Sequence, residues 1–136
     1  MKINSEYYVS KILEEGLVPW ADREYGSDNW TFTQDGAPSH TSRFTQSWLK
    51  KNNPGYLGKE FWPPSSPDIN PLDFNLWSIL EDKACKKTYK NVEDLKAALI
   101  RAWDNIPMEI VRAAVDAVPR RLRRIIKAKG GYIENV

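Results

Sequence analysis

The sequence predicts an α/β fold with two parallel strands and about five helices. Three observations carry this. Trp30 to Gln34 is aromatic and β-branched with period two, and Tyr56 to Trp62 is a short apolar segment; both have the character of strands. Elsewhere apolar residues recur every three or four positions, the spacing of a buried helix face. A helical stretch, Ser39 to Asn52, separates the two strand candidates, and such a right-handed crossover pairs its flanking strands in parallel.

The first helix starts after Asn4-Ser5, with Ser5 a good N-cap, and carries Tyr8, Val9, Ile12, Leu13 and Leu17 on one face. Pro19 is expected to end it. A turn, Tyr25-Gly26-Ser27-Asp28-Asn29, leads into the first strand, which stops at Asp35-Gly36-Ala37-Pro38. Ser39 to Asn52 places Phe44, Trp48 and Leu49 inward and ends at Asn52-Asn53-Pro54-Gly55. After the second strand, Pro63 to Asn70 and Pro71 hold four prolines in nine residues, expected to form a stiff extended loop. Pro71 opens a third helix capped by Asn70, with Leu72, Leu76, Trp77 and Leu80 apolar. Asn91 caps a fourth, with Glu93 and Asp94 favourable in its first turn and Val92, Leu95, Leu99, Ala102 and Ile106 as its stripe. Pro107 opens a fifth helix, with a kink or restart at Pro119 and an end at Gly130-Gly131. Its apolar face is Ile110, Val111, Ala114, Val115, Val118, Leu122, Ile125 and Ile126.

At 136 residues the chain is one domain's worth, expected over 1–136, and is large enough for a core without staples. The single cysteine, Cys85, excludes an internal disulfide framework and a cysteine-built zinc site. The single histidine, His40, excludes a two-histidine metal site. No apolar run reaches the ~20 residues that span a bilayer, and Met1 to Ser10 has no apolar signal region, so no membrane partner is expected. These features are those of a soluble chain in a reducing compartment. A net charge of +2 is uninformative, so the placement of charge must speak for partners.

Two acids stand out by context. Asp35 sits where a strand ends, and Asp73 in a first helical turn after the proline loop. Such positions converge at the rim of an α/β sheet, where sites occur. Paired carboxylates there suit Mg2+ or Mn2+, which prefer oxygen ligands and assist phosphoryl displacement. Each acid also has a purely structural use: an Asp before Gly-Ala-Pro caps a turn, and one in a first helical turn complements the helix dipole.

The string Gln34-Asp35-Gly36-Ala37-Pro38-Ser39-His40-Thr41-Ser42 resembles the QDNAPSHT block of mariner-like transposases of the DDE/D superfamily. Trp62 to Phe74, containing Ser66-Pro67-Asp68-Ile69-Asn70-Pro71-Leu72-Asp73, resembles their SPDLNPxD block. The 37 residues between Asp35 and Asp73 match the mariner branch whose last two acids are both Asp with the longer separation. The resemblance runs from about Lys2 to Glu134.

The resemblance implies a truncated RNase H-like fold, the C-terminal part of a catalytic domain, with the first three strands and the first acid missing. It implies metal-dependent cleavage and strand transfer on DNA, with Asp35 and Asp73 as the second and third catalytic, metal-holding acids. In that family this histidine lies close to the metal site, where His40 would contact phosphate or a metal-bound water; by position alone it is equally a helix-start polar residue bonding its own backbone. The partner would be DNA, the compartment the nucleus, and the cofactor Mg2+ or Mn2+, held weakly by two acids, so that the chain alone is inactive. The alternative is a non-catalytic DNA-binding or protein-interaction module. The exposed edge of the strand pair would be met by a second copy, giving a homodimer, or by the N-terminal helix. The carboxylates of Asp35 and Asp73 are expected about 4 to 8 Å apart, from magnesium–oxygen lengths near 2.1 Å.

Arg120, Arg121, Arg123, Arg124, Lys127 and Lys129 form a basic tail without an intervening acid, and Lys83, Lys86, Lys87 and Lys90 a second cluster. Such stripes suit DNA phosphates; interleaved apolar residues equally suit a solvated helix face. Asp68 reads as a cap or turn-former and not as a ligand, Trp62 and Trp77 as core, and Gly36 as a turn residue of positive φ.

Overall fold

Asn4 begins the first helix by accepting the Tyr7 amide on its side chain at 2.9 Å, so the cap is Asn4 and not Ser5. The helix has three stretches: Ser5–Tyr7, a wide π-helical Tyr8–Leu17, and Val18–Tyr25. Pro19 does not end it. In the π stretch the Val18 amide reaches back to the Leu13 carbonyl, and Pro19 falls in the first turn of the α-helical stretch that follows, where its missing N–H costs least. Gly26, at φ 81°, stops the helix in a conformation that a side chain would strain.

The computed structural model describes residues 3–53, 55–131 and 133. Pro54 of the expected helix stop, and Lys2 and Glu134 at the limits of the resemblance, lie outside them. The chain divides into two compact units, Met1–Ser65 and Ser66–Val136.

No strand forms among the described residues, so the expected α/β fold with two parallel strands is replaced by a helical architecture. Trp30 to Gln34 is extended and keeps its alternation, with Trp30, Phe32 and Gln34 partly buried and Thr31 and Thr33 exposed. Among the described residues its backbone hydrogen bonds to the second segment are made at Phe32: the Phe32 amide donates to the Gly55 carbonyl (3.2 Å), and the Leu57 amide donates to the Phe32 carbonyl (2.8 Å). Parallel ladders persist when neighbours cover both edges and both faces. This pairing does not propagate, and Lys59–Phe61 winds into a 3-10 turn instead of continuing as a strand. Gly55 permits the approach, because a Cβ there would stand 2.5 Å from the Trp30 carbonyl oxygen.

The expected crossover helix is two pieces, Pro38–Thr41 and Arg43–Asn52. Ser42, extended at ψ 149°, breaks them, and its hydroxyl caps the second by accepting the Thr45 amide at 3.1 Å. Tyr8, Val9, Leu13 and Leu49 form the core of the first unit, with Leu17, Phe32, Trp48 and Tyr56 against it. Phe44, expected inward, is exposed, as is Ile12.

In the second unit the proline loop is not wholly extended: Pro67–Ile69 forms a 3-10 turn. The next helix joins a π-helical Leu72–Leu76 to an α-helical Trp77–Ala84, and Asn70 caps it as expected. Val92–Asp104 begins at its Asn91 cap. Met108–Lys127 runs unbroken through Pro119, without the expected restart. The carbonyl that Pro119 leaves without an amide belongs to Val115, an exposed residue on the solvent side of the helix. Leu80, Ala84 and Ala102 pack together with Leu99, and Ile69, Leu76, Ile106, Ala114 and Ile133 are also buried. The expected stripes are wider than this packing uses: Val92, Val115, Leu122, Ile126 and Trp77 are all exposed.

Candidate functional site

The extended Trp30 to Gln34 segment delivers Asp35 to the start of Pro38–Thr41. Asp35 Oδ1 accepts the Ala37 amide at 3.0 Å, a bond from an acid to the backbone two residues on. The same oxygen lies 2.6 Å from His40 Nδ1. An ionised carboxylate only accepts, so the donor of this bond is His40 Nδ1. Oδ2 of Asp35 takes no hydrogen bond from the described residues. The acid is part-exposed, with 41% of its side chain open to solvent.

His40 is held from several sides. The Tyr8 ring lies on it at a centroid distance of 4.3 Å and a tilt of 33°. Its carbonyl accepts from Gln34 Nε2 (3.2 Å) and from Gln46 Nε2 (3.0 Å). The Tyr8 hydroxyl donates to Gln34 Oε1 at 2.8 Å. Burial, and after it the negative charge of Asp35, push the Tyr8 hydroxyl far above its ordinary value, so it stays protonated and remains a donor. Thr45, fully buried, donates its hydroxyl to the Ser39 carbonyl at 2.6 Å and so ties the Arg43–Asn52 helix to the turn bearing His40. Sequence reasoning singled out Asp35 and His40 and missed Tyr8, Gln34, Thr45 and Gln46. The one available signal for Tyr8 was a polar tip on an otherwise apolar helix face.

Gly36 is not a positive-φ turn residue: only Gly26 and Gly130 have positive φ among the described glycines, and a Cβ at Gly36 meets open space. Asp35 and its neighbours accept the turn without it.

Asp73 belongs to the second unit. It is exposed in the π-helical turn, where its Oδ2 accepts from Asn70 Nδ2 at 2.9 Å and its amide donates to the Asn70 carbonyl at 3.0 Å. Asn70 thus caps the helix and orients the acid with one side chain. Asp68 uses its backbone carbonyl, which accepts from Arg121 Nη1 at 3.1 Å.

Arg121 departs from the expected basic surface. It is 9% exposed, and its guanidinium lies over the Phe74 ring, 3.8 Å from the centroid. It fastens the proline block and the Asp73 helix to the last helix and is not available to DNA in this arrangement. Arg120, Arg123, Arg124, Lys127 and Lys129 are exposed. In the other basic cluster Lys86 pairs with Asp82 (2.6 Å) and Lys83 donates to the Asn105 carbonyl (3.3 Å), which leaves it less suited to phosphates.

No three His, Cys, Asp or Glu side chains gather into a metal-holding group among the described residues. Taken each within its own unit, the two acids have the donor chemistry that suits a hard divalent cation. Asp35 offers a carboxylate oxygen whose partner oxygen is already fixed by two hydrogen bonds, and Asp73 a carboxylate steered by Asn70. No helix of the described residues is long and apolar enough to cross a membrane.

No protein-family model matches the chain. The transposase of the element Tcb1 from Caenorhabditis briggsae is 36% identical over 124 residues, 91% of this chain and 44% of that protein. The Tc1 transposase of Caenorhabditis elegans is 33% identical over 94% of this chain and 45% of its own length. The Tc3 transposase of Caenorhabditis elegans is 36% identical over 97% of this chain and 39% of its own length. The chain therefore spans less than half the length of these curated relatives. The crystal structure of the Mos1 mariner transposase catalytic domain superposes with a TM-score of 0.84 at 23% identity, over 98% of this chain and 66% of that one. A Mos1 catalytic domain with raltegravir and magnesium superposes at 0.81 and 22% identity, covering 98% and 67%. The relatives of this chain are therefore Tc1/mariner-family transposases, and the chain shares its fold with part of the Mos1 catalytic domain.

Proposed function

We propose that this chain is a transposase-derived part of a metal-dependent DNA cleavage and strand-transfer domain, in which Asp35 and Asp73 are the second and third acids. The observation that carries it is the Asp35–His40 pair. It lies inside the block by which the chain resembles transposases, with one carboxylate oxygen tied down and the other free. Mos1 catalytic domains have been solved with magnesium and with manganese, which supports Mg2+ or Mn2+ as the ion. Bound at such carboxylates, the ion would supply a Lewis acid for displacement at a phosphodiester. The chain's own residues orient the acids: His40 and the Ala37 amide for Asp35, Asn70 for Asp73.

On this reading the chain holds two of the family's three acids, and by itself binds metal weakly and does not cut DNA. Titration with Mn2+ followed by paramagnetic broadening tests the site: signals of Asp35 and Asp73 broaden first, and D35A or D73A weakens the effect. Broadening that ignores both substitutions removes the assignment. Magnesium-dependent nicking of a supercoiled plasmid by the pure chain, lost in D35A, would overturn the inactivity.

A second reading, a non-catalytic DNA-binding module, is favoured by the exposed Arg120, Arg123, Arg124 and Lys127 on one long helix. It shares the first reading's partner, DNA, and its compartment, the nucleus. It is distinguished by duplex binding that survives D35A and D73A. Dimer formation through a second copy is read from the sedimentation of the pure chain.

A further inference from the structure

We propose that Tyr8 is the positioning residue of the candidate site: its ring and its hydroxyl together hold His40, and through His40 the carboxylate of Asp35. The part of this that concerns a bound ion rests on the function proposed above; the part that concerns the His40 ring does not.

Tyr8 stands on the first helix, 32 positions before His40 in sequence. If packing alone were required there, phenylalanine would fill the same space among Val9, Leu13 and Leu49. A buried phenol must instead find a partner for its hydroxyl. It finds Gln34, the residue before Asp35, at 2.8 Å. Gln34 spends its other end on the His40 carbonyl at 3.2 Å. The Tyr8 ring meanwhile lies against the His40 ring at 4.3 Å. Both routes out of Tyr8 thus end on the same histidine, one through its ring and one through its backbone. A histidine held at its ring and at its backbone leaves Nδ1 facing Asp35 Oδ1 at 2.6 Å. That bond decides which carboxylate oxygen stays free. Outer partners of this kind orient metal-holding groups, and their loss costs about 10- to 100-fold in metal affinity.

His40 is the only histidine, so the chain gives a single set of imidazole nitrogen signals in long-range 1H–15N correlation spectra. In the full chain the neutral ring is expected as the Nδ1–H tautomer, with its carbon-bound protons shifted upfield by the Tyr8 ring. Tyr8→Leu should release both the tautomer and the upfield shift and weaken Mn2+ binding about tenfold. Tyr8→Phe keeps the ring contact and should keep the upfield shift, with a smaller loss of affinity. A folded Tyr8→Leu chain whose His40 tautomer and Mn2+ affinity match the parent overturns the proposal. Where Tyr8→Leu fails to fold, Gln34→Met breaks the hydroxyl's anchor from the other side, and an unchanged His40 tautomer there overturns it equally. A parent chain that binds no Mn2+ defeats the metal reading alone; the hold of Tyr8 on His40 is then decided by the tautomer and the ring shifts.

Discussion

His40 donates from Nδ1 to Asp35 Oδ1 at 2.6 Å, and the same oxygen takes the Ala37 amide. Two donors on one oxygen fix the carboxylate and leave Oδ2 open. Asp35→Asn keeps the shape but replaces the charged acceptor with an amide. His40 should then lose its fixed tautomer, and Mn2+ affinity should fall at least tenfold. The imidazole nitrogen spectrum and a Mn2+ titration on the same sample check both.

Alkaline pH should expose the burial of Tyr8. Its hydroxyl is raised well above its usual value near 10 by burial and then by Asp35. An unfolded Tyr8 loses its proton near pH 10 while the folded one keeps it. The unfolded state thus binds fewer protons above that pH, so stability falls as pH rises from about 10, by up to about 1.4 kcal/mol per pH unit. Below pH 10 this contribution is fully present. Urea midpoints measured from pH 9 to 11 should fall less steeply in Tyr8→Phe than in the parent; parallel curves would contradict the buried phenol.

Arg121 should behave as a structural residue and its neighbours as surface. Arg121→Ala removes a bond to the Asp68 carbonyl and the stacking on Phe74, and is expected to cost about 2 to 3 kcal/mol in urea unfolding. Arg121→Lys keeps the charge without the planar fork and should recover only part of this. Replacing Arg120, Arg123, Arg124 and Lys127 with alanine should leave stability within about 0.5 kcal/mol. If all four meet phosphates, it should lower the slope of log affinity for duplex DNA against log salt by about 3 to 4. An unchanged slope would take the basic surface out of DNA binding.

Thr45→Val keeps the volume of a fully buried side chain and removes its hydroxyl. The Ser39 carbonyl and the Ser42 hydroxyl both lose a partner. The expected cost is about 1 to 3 kcal/mol, seen as a lower urea midpoint at unchanged slope. Amide exchange should quicken first across Pro38–Thr41, the turn that carries His40.

Gly36→Ala should be neutral to slightly stabilising, by up to about 1 kcal/mol, because the position is open, has no positive φ, and alanine narrows the unfolded ensemble. Gly55→Ala should destabilise, since its Cβ would press on the Trp30 carbonyl. Thermal unfolding of the two variants side by side separates these outcomes.

By itself the sequence determined the helix starts at Asn91 and Pro107, the cap at Asn70, the two acid-bearing blocks and their relatives. Caps and motifs are local chemistry, written in adjacent residues. It also determined the alternation of Trp30 to Gln34, which survives in the burial of those residues. Only tertiary structure decided whether that alternation becomes a strand, because a parallel ladder depends on neighbours distant in sequence; here it stops at Phe32. The same holds for Pro19 and Pro119: the first follows a widened helical turn, and the second lies four residues past Val115, which stays exposed. Tertiary structure also sorted the arginines, burying Arg121 over Phe74 while its neighbours stayed in solvent, and brought Tyr8 onto His40. A residue type and its spacing state what a side chain can do; which partner it meets is fixed by packing between segments far apart in the chain.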